Sequence, residues 1–247
     1  LLQYADEVHC DSAFSLAELV ARGVATSGRV RDIAATVPID PPECKPSHED
    51  SVLRLLFIGR FVRSKGPAEL LAAVDQSLPE IAFDRVRLDL VGNVEFSDLV
   101  HFAEVRRLAS ELESASGGRV RVQIHGSAPD EVRNRLLREA DVFVLPTYHE
   151  GFCVPIVEAL ASGCEIVTYD NSNLPSVTGG FATLVPTGNL SALAEAITVA
   201  AEVVGSPGWR AGGYQASAAG KVGHLSRFGT ELVRRRFLDD IDRLASR

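Results

Sequence analysis

The chain has 247 residues, of which 46% are hydrophobic, and its formal net charge is −8 at pH 7. This length suits one large domain or two small ones, and the apolar content is ample for a buried core. The negative charge argues against a nucleic-acid partner, whose phosphates need a basic surface, and against strong binding to anionic lipid. No apolar stretch approaches the ~20 residues that a membrane-spanning helix needs.

The first part of the chain predicts a strand, a helix and a second strand, followed by a hinge. Residues 7–10 have the pattern of a short strand, and residues 30–34 have that of another. Between them, Ser15-Leu-Ala-Glu18 is a capping box, which predicts a helix that begins at Ser15 and ends near Arg22. Residues 38–46 are polar and rich in proline, which favours a hinge.

The N-terminus and the cysteines predict a cytoplasmic protein. Residues 1–6 do not combine a charged region with an apolar core, so they do not form a signal peptide. Cys10, Cys44, Cys153 and Cys164 lack both the C-x-x-C spacing of zinc sites and the density of a disulfide framework. We therefore expect reduced thiols and no structural metal.

From residue 51 onward, predicted strands alternate with predicted helices. The strands are expected at residues 52–58, 86–91, 120–124, 141–145, 165–168 and 182–185. The helices are expected at residues 67–76, 97–114, 129–139, 154–161 and 190–203, and a final helix at residues 228–244 follows a stretch rich in Gly, Ala and Ser. This alternation predicts an α/β fold, a Rossmann-like doubly wound parallel sheet covered by helices on both faces. Ligands of such sheets bind outside the carboxyl ends of the strands.

Two glutamates, Glu150 and Glu158, flank the most informative segment of the chain. Glu150 lies in a loop after the predicted strand at 141–145, and Glu158 lies about one turn inside the predicted helix at 154–161. Both carboxylates can therefore face one crevice. The backbone amides of residues 151–154 lie at the helix N-terminus, where anions bind favourably. Two acceptor carboxylates beside an anion pocket suit a ligand with hydroxyls and phosphates, and a nucleotide-sugar has both.

The segment from Glu150 to Glu158 resembles the E-x7-E segment of retaining GT-B glycosyltransferases, the large family 4 (group 1) of nucleotide-sugar-dependent enzymes. Other motifs follow in the order of that family. Phe57-Ile58-Gly59-Arg60 with Lys65-Gly66 resembles its first phosphate loop, Ile124-His125-Gly126 the end of its third strand, and Leu174-Pro175 with Leu184-Val185-Pro186 its closing segment. The resemblance covers residues 51–200, and the motifs together are specific for the family but not for a substrate.

The resemblance implies a role for each residue of the site. Arg60 and Lys65, beside Gly59, would contact the diphosphate of the donor, and Glu158 would accept hydrogen bonds from the ribose hydroxyls. Glu150 would be the catalytic residue, which accepts the sugar hydroxyls and places negative charge near the developing oxocarbenium. Further donor-binding residues would contact phosphate, ribose or base: Gly92, Asn93, Ile124, His125, Gly151, Phe152, Cys153 and Val154. No metal and no cofactor is implied besides the nucleotide-sugar itself.

Three positions depart from the pattern of the family. Ser176 stands where the family usually has an acidic residue, and Asn171-Ser-Asn173 replaces a more common Gly-rich turn, so the identity of the donor sugar stays open. Cys153 stands where the family more often has Gly. A thiol at a helix N-terminus beside His149 would have a lowered pKa, but a buried and inert thiol is the interpretation that we favour.

Other residues carry weaker signals. Thr147 is a weaker candidate for a hydrogen bond to phosphate, and Arg63 is interpreted as a solvated neighbour of Lys65. Asp240-Ile-Asp242 resembles the metal-binding D-x-D of the other glycosyltransferase fold, but it falls on the final helix and predicts a solvated helix face. His149-Glu150 does not continue as H-E-x-x-H, which excludes a zinc-protease motif.

The resemblance also implies a division into domains. Residues 1–40 would be the tail of an N-terminal acceptor domain, residues 41–50 a hinge, residues 51–225 the nucleotide-sugar-binding domain and residues 226–247 a helix that crosses back. The rest of the N-terminal domain, with the catalytic His of the family, is absent. We therefore expect this chain to be a fragment, the donor-binding half, that is inactive alone.

The sequence thus predicts transfer of a sugar from a UDP- or GDP-sugar to an acceptor hydroxyl, with retention at the anomeric carbon. The acceptor would be a saccharide or a lipid-linked molecule, and any contact with a membrane would be peripheral and come from the missing domain. Two alternatives stay open. One is an epimerase or a phosphorylase of the same fold, and the other is a non-catalytic module that binds a nucleotide-sugar.

Overall fold

The computed structural model of the protein describes residues 7–24, 28–35, 51–209 and 214–246. The predicted hinge at residues 38–46 and Cys44 lie outside this part of the chain. The predicted division into domains therefore stays a prediction.

Residues 7–35 contribute a small unit of two strands and one helix. The strands β1 (His9–Cys10) and β2 (Arg29–Val30) pair in parallel, and α1 (Ala13–Ala21) connects them. The predicted strand at residues 30–34 is therefore wrong in its extent. The predicted cap is also wrong, because Ser12 is the N-cap and its hydroxyl accepts a hydrogen bond from the Ser15 amide at 3.1 Å. Glu18 pairs with Arg22 instead of reaching back to the cap.

The main sheet has six parallel strands, which confirms the predicted α/β fold. The strands are β3 (Val52–Ile58), β4 (Arg85–Val91), β5 (Val120–Gly126), β6 (Val142–Leu145), β7 (Glu165–Tyr169) and β8 (Thr183–Val185). Their order in the sheet is β5-β4-β3-β6-β7-β8. The direction of the strand order reverses between β3 and β6, and ligands of open α/β sheets bind at such a switch point.

Helices flank this sheet in two groups. They are α2 (Pro67–Ser77), α3 (Leu99–Ala115), α4 (Asp130–Glu139), α5 (Val154–Ala161), α6 (Leu174–Thr178), α7 (Leu190–Gly205), α8 (Tyr214–Leu225) and α9 (Thr230–Ala245). In one group α2 packs against α3 and α7, and in the other α5 packs against α6 and α8. Every residue of β6 is buried, as expected for a strand covered on both faces. No helix in the described ranges is long and apolar enough to cross a membrane.

The stretch rich in Gly, Ala and Ser before the last helix contains a further helix, α8, which the sequence analysis did not predict. The sequence predicted only one helix there, at residues 228–244, whereas α8 ends at Leu225 and α9 begins at Thr230. Gly and Ser lower intrinsic helix propensity, but packing against α5 can override that preference. Composition alone therefore did not predict α8.

Ion pairs hold Arg31 and Asp32, which follow β2, against α9 and the turn before it. Arg31 donates from Nη2 to Asp240 Oδ1 at 2.6 Å, and Arg227 donates from Nη2 to Asp32 Oδ1 at 2.9 Å. Asp240 is only 5% exposed, so the predicted solvated face is wrong at this position. The hydrogen bond from Arg31 lowers the pKa of Asp240 to about 2. Both oxygens of Asp240 contact Arg31, so this carboxylate serves as a structural anchor.

Asp240→Asn should loosen the attachment of residues 28–35 to α9, because it removes the charge that Arg31 binds. We expect faster amide hydrogen exchange in residues 28–35 at pH 7 and unchanged exchange in β6. Asp242→Asn, at an exposed position of the same helix, is the matched control. Since the native pKa of Asp240 is depressed, the aspartate stabilises the attachment above the unfolded pKa of ~4, and the difference should shrink as the pH falls to about 2. Equal exchange in both variants at pH 7 would contradict this assignment.

Candidate functional site at the strand carboxyl ends

The carboxyl ends of β3, β4 and β5 form a continuous edge. The Gly59 amide donates to the Val91 carbonyl at 2.9 Å, and the Gly92 amide donates to the Gly126 carbonyl at 3.0 Å. A Cβ atom on Gly92 would lie 2.0 Å from the Gly59 carbonyl oxygen, so only glycine fits there. Of the predicted donor-binding residues, Gly59 and Gly92 are therefore brought into direct contact.

The loop after β3 is pressed against the loop after β6 across the switch point. Gly66 has a φ of 67°, and a Cβ atom on it would lie 2.2 Å from the Pro146 carbonyl oxygen. This close approach brings Lys65 Nζ within 2.6 Å of Glu150 Oε1 and 3.4 Å of the His149 carbonyl. The cation expected to bind phosphate and the carboxylate expected to bind the sugar thus form an ion pair, with side chains 15% and 13% exposed.

The two arginines near Lys65 are more accessible. Arg60 is exposed directly after β3. The Arg63 side chain is 78% exposed and lies 3.7 Å from Glu104, which agrees with its interpretation as a solvated neighbour. The Arg60 side chain therefore lies in solvent, whereas the Lys65 side chain lies in a partly buried ion pair.

Helix α5 starts beside this ion pair. Its N-cap is Cys153, which has a left-handed backbone with φ 78° and makes no side-chain hydrogen bond to the first turn. The Cys153 side chain is buried, and the Phe152 ring packs edge to face against Phe228 with centroids 5.4 Å apart. Phe152 and Cys153 therefore place only backbone atoms at the predicted site. The amides at the start of α5 carry the positive end of the helix dipole.

Cys153 does not have the activated thiol that a helix N-terminus can produce. Burial raises its pKa well above the ordinary value, and the nearby charge of Glu150 raises it further. The thiolate is the reactive form, so this shift makes the thiol inert. The favoured interpretation, a buried inert cysteine, agrees with its position, and its left-handed φ explains why glycine suits this position in the resembling family.

Glu158 is fully buried and contacts Arg133 of α4. The Arg133 guanidinium donates from Nη2 to Glu158 Oε2, and the side chains are 18% and 0% exposed. Burial lowers the pKa of Arg133. Arg133 was absent from the sequence prediction. The sequence did carry a signal for such a partner, because a carboxylate inside an otherwise apolar helix needs one.

The side chains of two other predicted residues are engaged within the protein. His125 Nε2 lies 2.7 Å from Asp89 Oδ1, and Asn93 Oδ1 accepts from the Glu95 amide at 2.8 Å. Their backbones, with that of Ile124, remain at the strand ends.

Thr147 was a weaker candidate for a phosphate hydrogen bond, and its hydroxyl is engaged within the protein. Its side chain is fully buried, and the hydroxyl donates to the Ser64 carbonyl at 3.0 Å. The Tyr148 amide donates to the same carbonyl at 2.8 Å. Thr147 therefore ties the β6 loop to the β3 loop.

The Asn-Ser-Asn turn after β7 supports the Glu150 loop. The Asn171 side-chain amide donates to the Thr147 carbonyl at 3.0 Å, and that of Asn173 donates to the Phe152 carbonyl at 3.3 Å. The Asn173 backbone amide also donates to the Glu150 carbonyl at 3.4 Å. The sequence showed this turn only as a departure from the family pattern, although its position after a strand was a usable signal.

Helix α1 reaches the same loop from the other side. The Phe14 ring lies edge to face with His149, with centroids 5.7 Å apart. A Cβ atom on Gly151 would lie 2.8 Å from Asp11 Oδ2 and 3.3 Å from Ser15 Oγ. Asp11, Phe14 and Ser15 therefore border the Glu150 loop, which the sequence analysis did not predict.

Comparisons with known proteins agree with this fold and motif order. Residues 53–202 match the family described as "Glycosyl transferases group 1". Among curated proteins, the D-inositol 3-phosphate glycosyltransferase of Corynebacterium kroppenstedtii is 31% identical over 121 residues, which is 49% of this chain and 26% of that protein. The O-antigen chain mannosyltransferase B of Escherichia coli is 33% identical over 147 residues, 58% of this chain and 36% of that protein.

A solved structure extends the likeness to nearly the whole chain. The sucrose-phosphate synthase of Thermosynechococcus elongatus superposes with a TM-score of 0.75 and 25% identity, covering 99% of this chain and 60% of that one. The fold is thus that of the GT-B glycosyltransferases, and the chain spans only about a quarter to a third of these curated relatives. Because the family match alone covers more than half of the chain, the protein belongs to the glycosyl transferases group 1 family.

Proposed function

We propose that this chain is the donor-binding half of a retaining, metal-independent glycosyltransferase that uses a nucleoside-diphosphate sugar. One observation carries the proposal: the ion pair of Lys65 and Glu150 lies at the switch point of the sheet, beside the N-terminus of α5. A cation, a carboxylate and a helix N-terminus at one edge are complementary to a ligand that carries phosphates and sugar hydroxyls.

Each group has a separate task in this proposal. The diphosphate is neutralised by Lys65, by Arg60 and by the amides at the start of α5. The ribose hydroxyls donate to Glu158. Glu150 exchanges its partner Lys65 for the sugar hydroxyls and stabilises the positive charge that develops at the anomeric carbon.

Retention of configuration follows from where the leaving group is held. The acceptor hydroxyl attacks the face from which the diphosphate departs, and a diphosphate oxygen takes the acceptor proton as the new glycosidic bond forms. Charge on the diphosphate is carried by protein groups, so no divalent metal is needed to neutralise it. The resemblance of the E-x7-E segment supports this course.

The substrate class is proposed from the family. The donor is a UDP- or GDP-sugar, and the acceptor is a saccharide or a lipid-linked hydroxyl. One relative bears the name of an O-antigen chain mannosyltransferase and another that of a D-inositol 3-phosphate glycosyltransferase. These names support a role in glycan or glycoside biosynthesis without fixing the sugar.

Binding of a nucleoside diphosphate should not depend on a divalent metal. We expect calorimetric titrations with UDP, GDP and ADP to give, for the preferred nucleotide, the same affinity in EDTA as in Mg²⁺. Lys65→Met should weaken that binding about tenfold or more, because a hydrogen bond to a charged group contributes ~1.5–3 kcal/mol. Arg121→Met, at an exposed position on β5, is the control. Binding that vanishes in EDTA and returns with Mg²⁺ would overturn the proposed charge balance.

Substitution of Glu158 and of Glu150 should weaken the binding of different ligands. Glu158→Gln should weaken nucleoside diphosphate and nucleotide-sugar alike, by about tenfold or more, since both carry the ribose. Glu150→Gln should leave diphosphate affinity equal or higher, because Lys65 loses its anionic partner, and should reduce only the contribution of the sugar. Titrations of both variants with both ligands check this, and equal losses for both ligands in both variants would remove the assignment.

The 247-residue chain should bind the donor but transfer no sugar, because in this proposal the acceptor domain holds the acceptor hydroxyl at attacking distance. Fusion to an upstream acceptor domain of roughly 150 residues should produce acceptor-dependent transfer of radiolabelled sugar. The matched control is the same fusion carrying Glu150→Gln. Transfer by the isolated chain, lost in Glu150→Gln, would show that the fragment is complete. Formation of free nucleotide and an altered free sugar without acceptor would favour an epimerase.

A further inference from the structure

The buried contact between Arg133 and Glu158 is unusual for its surroundings. Glu158 lies in α5 among fully buried apolar neighbours, Val157 and Ala159, and its own side chain is 0% exposed. Arg133 reaches it from α4, the helix that follows β5. Two charges removed from water gain little stability from their attraction, because desolvation offsets it. Stability alone therefore gives a weak reason for this pair.

Other charged groups lie near the pair and set its electrostatic environment. Asp130, in the first turn of α4, acts on Arg133 and favours its charged form. Lys221 of α8, which packs against α5, is buried with its Nζ 3.4 Å from the Cys164 carbonyl. Arg133 donates to the Glu158 carboxylate in the contact described above, so its guanidinium helps to fix the orientation of that carboxylate.

We propose that Arg133 is a positioning residue for ribose recognition. Its guanidinium donates to the Glu158 carboxylate and orients it inside an apolar helix, and it is the more exposed member of the pair, at 18% against 0%. A nucleotide reaches the carboxylate when the guanidinium yields part of its contact to the ribose diol. Without Arg133, the carboxylate loses the hydrogen bond that orients it towards the ribose. This inference rests on the proposed function, in which Glu158 binds the ribose.

The experiment compares the preferred nucleoside diphosphate with its 2′,3′-dideoxy analogue, which lacks the ribose diol. The variants are Arg133→Met, Arg133→Lys and Glu158→Gln, and the control is Arg135→Met, whose side chain is 57% exposed on the same helix. We expect Arg133→Met to weaken the ribonucleotide about tenfold and the dideoxy analogue little, because only the former donates to Glu158. Arg133→Lys should recover part of the difference, and Arg135→Met should match the parent chain.

Thermal melting identifies variants that fail to fold. If Arg133→Met unfolds, the double variant Arg133→Met/Glu158→Gln is used in its place, because it removes both charges. The ratio of its affinities for the ribonucleotide and the dideoxy analogue should equal the ratio for Glu158→Gln alone. A double variant that loses further selectivity would overturn the positioning role.

Other outcomes separate this inference from the proposed function. Equal losses for both ligands in Arg133→Met would show a structural role, and tighter ribonucleotide binding would show that Arg133 competes with the ligand; either overturns the inference while Glu158→Gln keeps its ribose-selective loss. If Glu158→Gln also lacks that selective loss, the ribose role of Glu158 fails first, and the inference fails with it.

Discussion

The ion pair of Lys65 and Glu150 joins the two halves of the sheet at the point where strand order reverses. Lys65 lies in the loop after β3, and Glu150 lies in the loop after β6. Because β3 and β6 are neighbours in the sheet, these two loops meet at the switch point. The left-handed Gly66 against the Pro146 carbonyl makes that meeting close enough for a 2.6 Å contact. Opposite charges let both groups lie partly buried, because each offsets part of the desolvation cost of the other.

The surroundings of the pair are built to keep it in place. The Thr147 hydroxyl fastens the β6 loop to the β3 loop, and Asn171 and Asn173 fasten the same segment to the turn after β7. These bonds use buried or partly buried side chains to satisfy loop carbonyls, which would otherwise be costly to bury. In the proposed function, they would hold the donor-binding groups at defined positions on the parallel sheet.

The fold from residue 52 onward was predictable because its signals are local. A buried strand such as β6 reads as a continuous apolar run, and α5 opens with Pro155 in its first turn. The family motifs placed Lys65 and Glu150 at one edge, but sequence gave no distance between them. Two features that the sequence analysis did not predict share a cause. The partners of Asp240 and Glu158, Arg31 and Arg133, come from distant or separate elements, so the sequence around each carboxylate did not identify them.

The attachment of Arg31 and Asp32 to α9 and to the turn before it also has a consequence for how the chain folds. Arg31 and Asp240 are 209 positions apart, and Asp32 and Arg227 are 195 apart. The pairs β3–β4 and β6–β7, by contrast, join strands that are close in sequence. Contacts of this span raise the mean sequence separation of the native contacts, which is expected to slow folding relative to a sheet built from neighbouring strands alone. Closing so long a loop also carries an entropic cost, which the ion pairs of Asp240 and Asp32 must offset.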